Sequence, residues 1–506
     1  MKIERTKNTL RNIVFGFCYR LLSIILPFIS RTAILYILGE QYLGLSSLFT
    51  SILSFLSLAE LGVGGAMVYS MYKPIAENDT TTIRALLNLY RRFYRVIGTA
   101  IFVIGLCLTS FLRLLIHESL PQNINIYILY LLYLLNAVLS YWLFAYKSAV
   151  LQAFQRNDVE SKIAMIITPL SYAVMLGALF LTRNYYAYII WLPIFTTITN
   201  VIRLIYVDKN FPGLEPEGEI SQELRKSIVK KVKALIGTKL NTVVLNAADN
   251  IVIAAFFGLT TIAIYGNYYY IMSSIIGFLG IVYSAMTAGL GNSIAMESVE
   301  KNYRDFMKFS FMNSWLVGWC TICLICLYQP FMYLWTGKEL MFPFYIVIEF
   351  GVYFYIYQIR KIPVTYKDAA GIWWEDRFRP YICMVVNLGL NILLAQVIGI
   401  SGILISTVIS LCISIPWENY TIFKYIFHRG SWEYYRKMAY YAVTVFIAGI
   451  VTFVACKPWG NNFPALIIRG GICIVIPNLI IILGNFKGEE FHDTKEFLLR
   501  ILKSRE

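Results

Sequence analysis

The stretch that decides the fold runs from Arg31 to Lys73 and reads RTAILYILGEQYLGLSSLFTSILSFLSLAELGVGGAMVYSMYK. It contains the end of one long apolar run, a short break, and a second apolar run over Leu43–Tyr72 with Glu60 in its middle. Both runs are long enough to span a bilayer. Ionisable side chains such as Arg31 and Glu60 are costly in hydrocarbon, so these positions are candidates for a functional site.

The composition of the 506-residue chain indicates a membrane protein, because 58% of its residues are hydrophobic and only 14% are charged. Soluble domains have about 25% charged residues. Apolar runs of about 20 residues recur from end to end, which predicts transmembrane helices rather than barrel strands. The net charge of +15 is typical of nucleic-acid binding at first sight. Basic loops that follow the positive-inside rule explain it better, and we expect no nucleic-acid partner.

We predict an all-α integral membrane protein with about fourteen transmembrane helices and both termini in the cytoplasm. Outside the spans, Lys and Arg lie almost entirely in loops on the side of the termini, which the positive-inside rule makes cytoplasmic. The predicted spans are 12–36, 43–72, 93–116, 124–146, 161–182, 187–207, 236–257, 262–296, 309–334, 341–357, 381–399, 402–423, 438–456 and 464–484.

The layout of the opening stretch recurs in the second half of the chain. Gly39 aligns with Gly258, and the Tyr42-Leu43-Gly44 tripeptide aligns with Ile264-Tyr265-Gly266. Spans 1–6 and 7–12 are therefore predicted to be two parallel six-helix repeats, as in transporters whose halves rock against each other. The expected domains are an N-terminal half at 1–207, a cytoplasmic linker at 208–235, a C-terminal half at 236–424, and two extra helices with a cytoplasmic tail at 425–506.

Polar side chains on spans 1 and 7 form the predicted substrate site. Arg20 and Arg31 are eleven residues apart, about three helical turns, so they share one face of span 1. The polar stripe on span 7 consists of Lys239, Asn246, Asp249 and Asn250. If the repeat holds, the two spans are equivalent and line a common cavity. A cationic cavity suits an anionic substrate, because Arg binds phosphate through two hydrogen bonds.

Structural roles for the same charges stay open. The ionisable residues within the predicted spans are Arg20, Arg31, Glu60, Arg203, Asp249, Glu349, Glu418 and Arg469. The readings for Arg31 and Asp249 are substrate binding, pairing with each other, or extension toward the headgroups. The first two can hold together if an Arg31–Asp249 pair acts as an outward gate. Glu60 either binds a coupling cation or proton, or pairs with Arg20 or Arg31.

Motifs for other chemistry are missing from the sequence. There is no Walker sequence, the glycines at 62–65 follow no strand, and the three histidines lie in loops or the tail. We therefore expect no enzyme activity and no cofactor. Cys320, Cys323 and Cys326 share a helical face, but no His or acidic residue is near, so packing within the membrane is favoured over a metal site.

Two cytoplasmic segments are predicted to form amphipathic surface helices. One begins after Asn78-Asp79-Thr80 and carries several arginines away from its apolar face, and the other covers residues 491–502. We expect their basic faces to lie on anionic lipid headgroups.

Several motifs of this chain resemble those of bacterial polysaccharide flippases of the Wzx type, which belong to the multidrug/oligosaccharidyl-lipid/polysaccharide exporter superfamily. The motifs are Arg31-Thr32, Tyr42-Leu43-Gly44-Leu45, Leu58-Ala59-Glu60-Leu61-Gly62, Tyr72-Lys73-Pro74-Ile75-Ala76-Glu77-Asn78-Asp79, Ala248-Asp249-Asn250, Asp368-Ala369-Ala370-Gly371 and Glu375-Asp376-Arg377-Phe378-Arg379-Pro380. The resemblance covers nearly the whole chain and favours the capsule and O-antigen branch over drug exporters.

The resemblance implies a flippase in the bacterial cytoplasmic membrane. Its substrate would be an undecaprenyl-diphosphate-linked oligosaccharide, moved from the cytoplasmic to the outer leaflet by alternating access through a cationic cavity. Arg20, Arg31, Lys239 and Asp249 fall in the helices that line this cavity in relatives, and spans 13 and 14 form a groove for the lipid tail in some of them. The implied partners are membrane lipids, a polysaccharide polymerase and glycosyltransferases.

Two other functions remain as alternatives. A cation-coupled drug exporter of the same superfamily would need an acidic lumen, which Arg20 and Arg31 argue against. A membrane-embedded polysaccharide polymerase would need a large outer loop with catalytic Arg or His, whereas every predicted outer loop is short.

Overall fold

The computed structural model describes residues 5–60, 63–116, 120–121 and 124–503. Its side chains are described from Phe15 onward, except at 59, 231, 233–236, 238–239, 246, 288, 498 and 501–503. Every regular element in these residues is helical, as the sequence predicts. The chain forms two compact units, Met1–Gly266 (unit 1) and Asn267–Glu506 (unit 2).

Unit 1 is a bundle in which α1 packs on α8, α4 packs on α6, and α10 packs on both α6 and α8. Its helices are α1 Arg5–Ile37, α2 Glu40–Leu56, α3 Val63–Glu77, α4 Thr80–Leu108, α5 Leu112–Leu115, α6 Ile126–Trp142, α7 Tyr146–Ala153, α8 Asn157–Thr182, α9 Tyr185–Ile189 and α10 Trp191–Asn210, followed by the first part of α11 Gln222–Met296.

Unit 2 is a second bundle, in which α12 packs on α13, α17 and α18, and α15 packs on α16. After the last part of α11, its helices are α12 Val299–Thr336, α13 Phe344–Ile359, α14 Lys361–Ala370, α15 Arg379–Ile398, α16 Ile400–Ile422, α17 Trp432–Cys456, α18 Phe463–Asn485 and α19 Glu489–Lys503.

Ten helices in the described residues are long and apolar enough to cross a membrane, or eleven if the bent pair α6 and α7 counts as one span. The predicted number of fourteen stays a prediction. Span 2 falls on α2 and α3, which the 3₁₀ turn Ser57–Glu60 separates, and span 10 falls on α13, which has only 16 residues. Spans 7 and 8 fall on one kinked helix, α11.

Single glycines make the breaks at Gly39 and Gly258, the two positions that the sequence aligns. Gly39 precedes α2 with φ 105° and ψ 171°, and Gly258 bends α11 with φ 82° and ψ 179°. Residues with a Cβ rarely adopt these angles, so glycine is required at both breaks. The division into two six-helix repeats with the predicted boundaries stays a prediction.

The segment before α11 lies along the cytoplasmic helix that the sequence places after Asp79. Arg84 and Arg92 of α4 pair with Glu217 and Glu219, and the Asn88 amide donates to the Gly218 carbonyl over 2.9 Å. Part of the basic face that was expected to lie on lipid headgroups therefore contacts acidic residues of the chain itself.

Candidate functional site

Arg20 and Arg31 both project from α1, and both are partly buried within unit 1. The Nε of Arg20 is buried and has no hydrogen-bond partner among the described residues. The Nη2 of Arg31 lies 3.0 Å from the point where a Cβ on Gly266 would stand, and the Ser47 hydroxyl lies 3.5 Å from the same point. The missing side chain at Gly266 therefore leaves room for the Arg31 guanidinium.

Asp249 is buried in α11, where its carboxylate accepts a 2.8 Å hydrogen bond from the Tyr265 hydroxyl. Gly258 lies between these two residues, so the hydrogen bond spans the kink in α11. Tyr265 directly precedes Gly266, so Asp249 and Arg31 contact the same turn of α11. The direct pairing of Arg31 with Asp249 stays a prediction.

Asn250 links the first part of α11 to α2. Its amide nitrogen donates to the Ser51 hydroxyl over 2.9 Å, while its Oδ1 is buried without a partner among the described residues. Of the other residues in the predicted stripe, Lys239 and Asn246 have their backbone in α11, and their side chains lie outside the described part of the chain.

Glu60 lies at the 3₁₀ turn between α2 and α3, where two tyrosines hold its carboxylate. The Tyr94 hydroxyl donates to Oε1 over 2.5 Å and the Tyr141 hydroxyl donates to Oε2 over 3.0 Å. Tyr90 in turn donates to Tyr94 over 2.7 Å. Among the described residues, phenols rather than guanidinium groups are therefore the partners of Glu60. A coupling role for this carboxylate stays a prediction.

Unit 2 contains a set of charges that sequence reasoning did not bring together. This buried charge network comprises Arg360, Lys367, Asp376, Arg379 and Glu418. Asp376 accepts from Arg379 Nε and Nη2 over 2.8 Å each, and Lys367 also contacts it. Glu418 accepts from Arg360 over 2.9 Å and contacts the Arg379 guanidinium at 3.0 Å.

The buried charge network holds three cations and two carboxylates, and Asp376 and Glu418 are 2% and 1% exposed. Burial alone would raise the pKa of the Asp376 carboxyl, but the hydrogen bonds and charge of Arg379 and the charge of Lys367 lower it below its usual value. The network ties α14, the loop after it, α15 and α16 to one another. The sequence signals for it were the Asp376-to-Arg379 motif and the charge at position 418 within an apolar run.

An apolar groove runs along α12, α13 and α17 in unit 2, with a volume of about 410 Å³. Its walls include Ile348, Val352, Phe446 and Ile450, all of which are exposed. Exposed apolar surfaces of this kind mark sites that contact a membrane, a ligand or another protein.

Comparison with solved structures matches the chain to membrane transporters. A structure described as lipid II flippase MurJ in an inward closed conformation aligns with a TM-score of 0.67 and 15% identity, over 93% of this chain and 98% of its own. An inward-facing multidrug resistance MATE family transporter of the MOP superfamily aligns with a TM-score of 0.59 and 15% identity, over 80% and 98%.

A MOP superfamily transporter from Pyrococcus furiosus aligns with a TM-score of 0.55 and 15% identity, over 83% of this chain and 95% of its own. No protein-family model and no curated protein sequence matches the chain. At this identity the structural likeness establishes the fold and leaves the substrate open. The chain is thus an all-α, multi-pass membrane protein with the fold of the MurJ and MATE transporters.

Proposed function

We propose that this protein is a flippase for undecaprenyl-diphosphate-linked oligosaccharides. It moves them from the cytoplasmic to the outer leaflet of the bacterial cell membrane, where they enter surface polysaccharides such as capsule or O-antigen. It acts by alternating access, with both termini in the cytoplasm and without enzyme chemistry or a cofactor. A polymerase and glycosyltransferases are its partners in this process.

The observation that carries the proposal is the extent of the shared fold. The likeness to a protein named as a lipid II flippase covers 93% of this chain and includes both units. The Wzx-like motifs of the sequence favour a saccharide carrier as the substrate. The finer assignment to polysaccharide repeat units rests on these motifs.

The charge of α1 supports an anionic substrate. Arg20 is a partly buried cation in an apolar span, and its Nε has no partner among the described residues. A buried N–H of a guanidinium in a membrane span is costly unless a ligand or water pairs with it. A diphosphate provides pairs of anionic oxygens, to which a guanidinium group binds through two parallel hydrogen bonds.

The apolar groove supports a lipid-linked substrate. Its almost wholly apolar walls on α12, α13 and α17 fit a polyprenyl chain, which buries hydrocarbon but forms no hydrogen bonds. In this proposal the groove holds the lipid tail while cationic side chains bind the diphosphate.

The second candidate is a cation-coupled drug exporter, because MATE transporters share the fold. Cationic drugs require acidic side chains, and Glu60 and Asp249 are the acidic candidates in unit 1. Arg20 and Arg31 disfavour such substrates electrostatically.

The proposal is tested in cells that lack the protein, complemented with wild type, Arg20→Ala, Arg20→Lys or the control Arg183→Ala. Arg183 is an exposed residue at the end of α8. We expect deletion to trap the lipid-linked oligosaccharide in the cytoplasmic leaflet. Wild type and Arg183→Ala should relieve this block, Arg20→Ala should fail at normal membrane levels, and Arg20→Lys should act partially because it keeps the charge but loses the bidentate geometry.

Two results would contradict the proposal. If the lipid-linked unit accumulates in the outer leaflet without being polymerised, the protein acts as a polymerase. If the unit is distributed normally but drug efflux is lost, the protein is an exporter.

A further inference from the structure

Three thiols from three different helices meet inside unit 2. Cys326 lies on α12, Cys456 ends α17 and Cys473 lies on α18, and their sulfurs are all within 4.8 Å of one another. All three residues are buried, at 3%, 1% and 0% exposure. We call them the thiol cluster. Of the three cysteines that share a face of α12 in the sequence, only Cys326 belongs to it.

The spacing of the thiol cluster fits a metal ion better than a disulfide. Zinc–sulfur bonds are about 2.3 Å long, which places the sulfurs of a zinc site about 4 Å apart. Sulfurs within 4.8 Å of one another therefore reach this geometry through shifts of less than about 1 Å. A disulfide needs a sulfur separation of about 2 Å and would leave one of the three thiols unused.

Arg469 supplies a positive charge beside the thiol cluster. Its Nη1 donates to the Cys326 carbonyl over 3.4 Å, and its Nη2 donates to the Trp459 carbonyl. Its Nε is buried without a partner among the described residues. Three thiolates, one divalent cation and one guanidinium have no net charge, and neutrality is what an apolar interior favours.

We propose that the thiol cluster binds one thiophilic divalent cation of the zinc class. On binding, three S–H bonds break, three metal–sulfur bonds form and three protons pass to solvent. A water or the thiol of Cys323, whose sulfur lies 4.0 Å from the Cys473 carbonyl, takes the fourth position. Thiols bind such ions as thiolates and release their protons on binding, so the affinity falls as the pH is lowered.

A bound ion would fix α12 to α17 and α18 at the edge of the apolar groove, because Cys326 is also a groove residue. This consequence for lipid binding rests on the proposed function. Ion binding itself does not rest on the proposed function. A protein that binds zinc but moves no lipid and a protein that moves lipid but binds no zinc are therefore distinguishable outcomes.

The test uses the reduced, metal-free, full-length protein in detergent, titrated with Zn²⁺ and, for its thiolate absorption band, with Cd²⁺. We expect one ion per chain and a release of about three protons per ion. Loss of a group that only supports a metal ligand weakens metal binding roughly 10–100-fold. Cys473→Ser removes a ligand itself, so it should weaken binding by at least this much. Cys412→Ser, which changes an exposed cysteine on α16, should bind as wild type does.

Proton release is measured on the wild-type protein alone, so the proposal stays testable if the Cys473 variant does not fold. Three results would overturn it: no bound ion in the wild type, fewer than two protons released per ion, or unchanged affinity in Cys473→Ser. An intact mass lighter by two hydrogens in the protein as isolated, together with no metal uptake, would instead identify a disulfide.

Discussion

Asp376 lies in unit 2 between Arg379 and Lys367, where burial and charge act on its carboxyl in opposite directions. Removing one partner of a buried ion pair leaves the other charge without compensation in a medium of low dielectric constant. The stability of this part of unit 2 therefore depends on the carboxylate staying ionised.

Asp376→Asn should destabilise the protein by about 3–5 kcal/mol, because Arg379 and Lys367 would lose their shared anion. Thermal unfolding in detergent measures the loss. Glu496→Gln is the matched control, since Glu496 pairs with Arg500 at the surface of α19 and exposed pairs contribute little. Equal unfolding temperatures for Asp376→Asn and wild type would contradict the role assigned to the network.

The lowered pKa of Asp376 also predicts a pH dependence. A carboxyl whose pKa is lower in the folded state contributes stability above its unfolded pKa of about 3.9, and this contribution is lost as the pH falls through the folded value. Between neutral pH and pH 3, wild type should therefore lose more stability than Asp376→Asn. Parallel curves of unfolding temperature against pH for the two proteins would exclude this carboxyl as the cause.

At the scale of single residues, the sequence identifies charges in apolar runs but not the side chains that pair with them. Arg20, Glu60 and Glu418 are visible because a charge in an apolar run is rare. The tyrosines that hold Glu60 were not, since aromatic residues in apolar runs are also typical of membrane interfaces. Arg360 and Arg379 lie between the predicted spans 341–357 and 381–399, and their distance in sequence from Glu418 hides the contact with it.

At the scale of secondary-structure elements, breaks in the helices of unit 1 determine which side chains come into contact. The 3₁₀ turn between α2 and α3 places Glu60 beside α4 and α6, and the kink at Gly258 allows Tyr265 to reach Asp249. Beyond the kink, Gly44 of α2 meets the backbone at Leu259, because a Cβ on Gly44 would lie 2.3 Å from that carbonyl oxygen. The two elements approach as closely as their backbones allow.

Gly44→Ala should cost about 1–3 kcal/mol of stability, because the added methyl group overlaps a main-chain oxygen that cannot rotate away. The measurement is thermal unfolding together with the amount of folded protein in the membrane. Gly65→Ala is the control, since nothing lies within 4 Å of its new methyl group and alanine favours helix. A Gly44→Ala protein as stable as Gly65→Ala would refute the backbone contact.

Hydropathy predicted where helices lie but not where they are interrupted. The run at 43–72 contains a single charged residue, Glu60, so α2 and α3 read as one span. The break at Gly39, by contrast, is visible in the sequence because it separates two long apolar runs. The predicted span at 341–357 falls on α13, which has only 16 residues.

The whole molecule has the fold of MurJ and MATE transporters, and the sequence pointed to this fold through motifs rather than composition. Apolar runs predicted an all-α membrane protein but would suit many transporter folds. The substrate class is harder to predict, because it depends on a few polar side chains whose partners come from distant parts of the chain.

In the proposed function, the protein itself moves a lipid-linked oligosaccharide between leaflets. The most direct measurement reconstitutes the purified protein in vesicles with undecaprenyl-diphosphate-linked oligosaccharide and follows how much of it a membrane-impermeant lectin can reach. We predict that wild type and Arg183→Ala make the inner-leaflet pool accessible, whereas Arg20→Ala leaves it as inaccessible as in protein-free vesicles. An inner-leaflet pool that stays inaccessible with folded wild-type protein, under every ion gradient applied, would contradict the account.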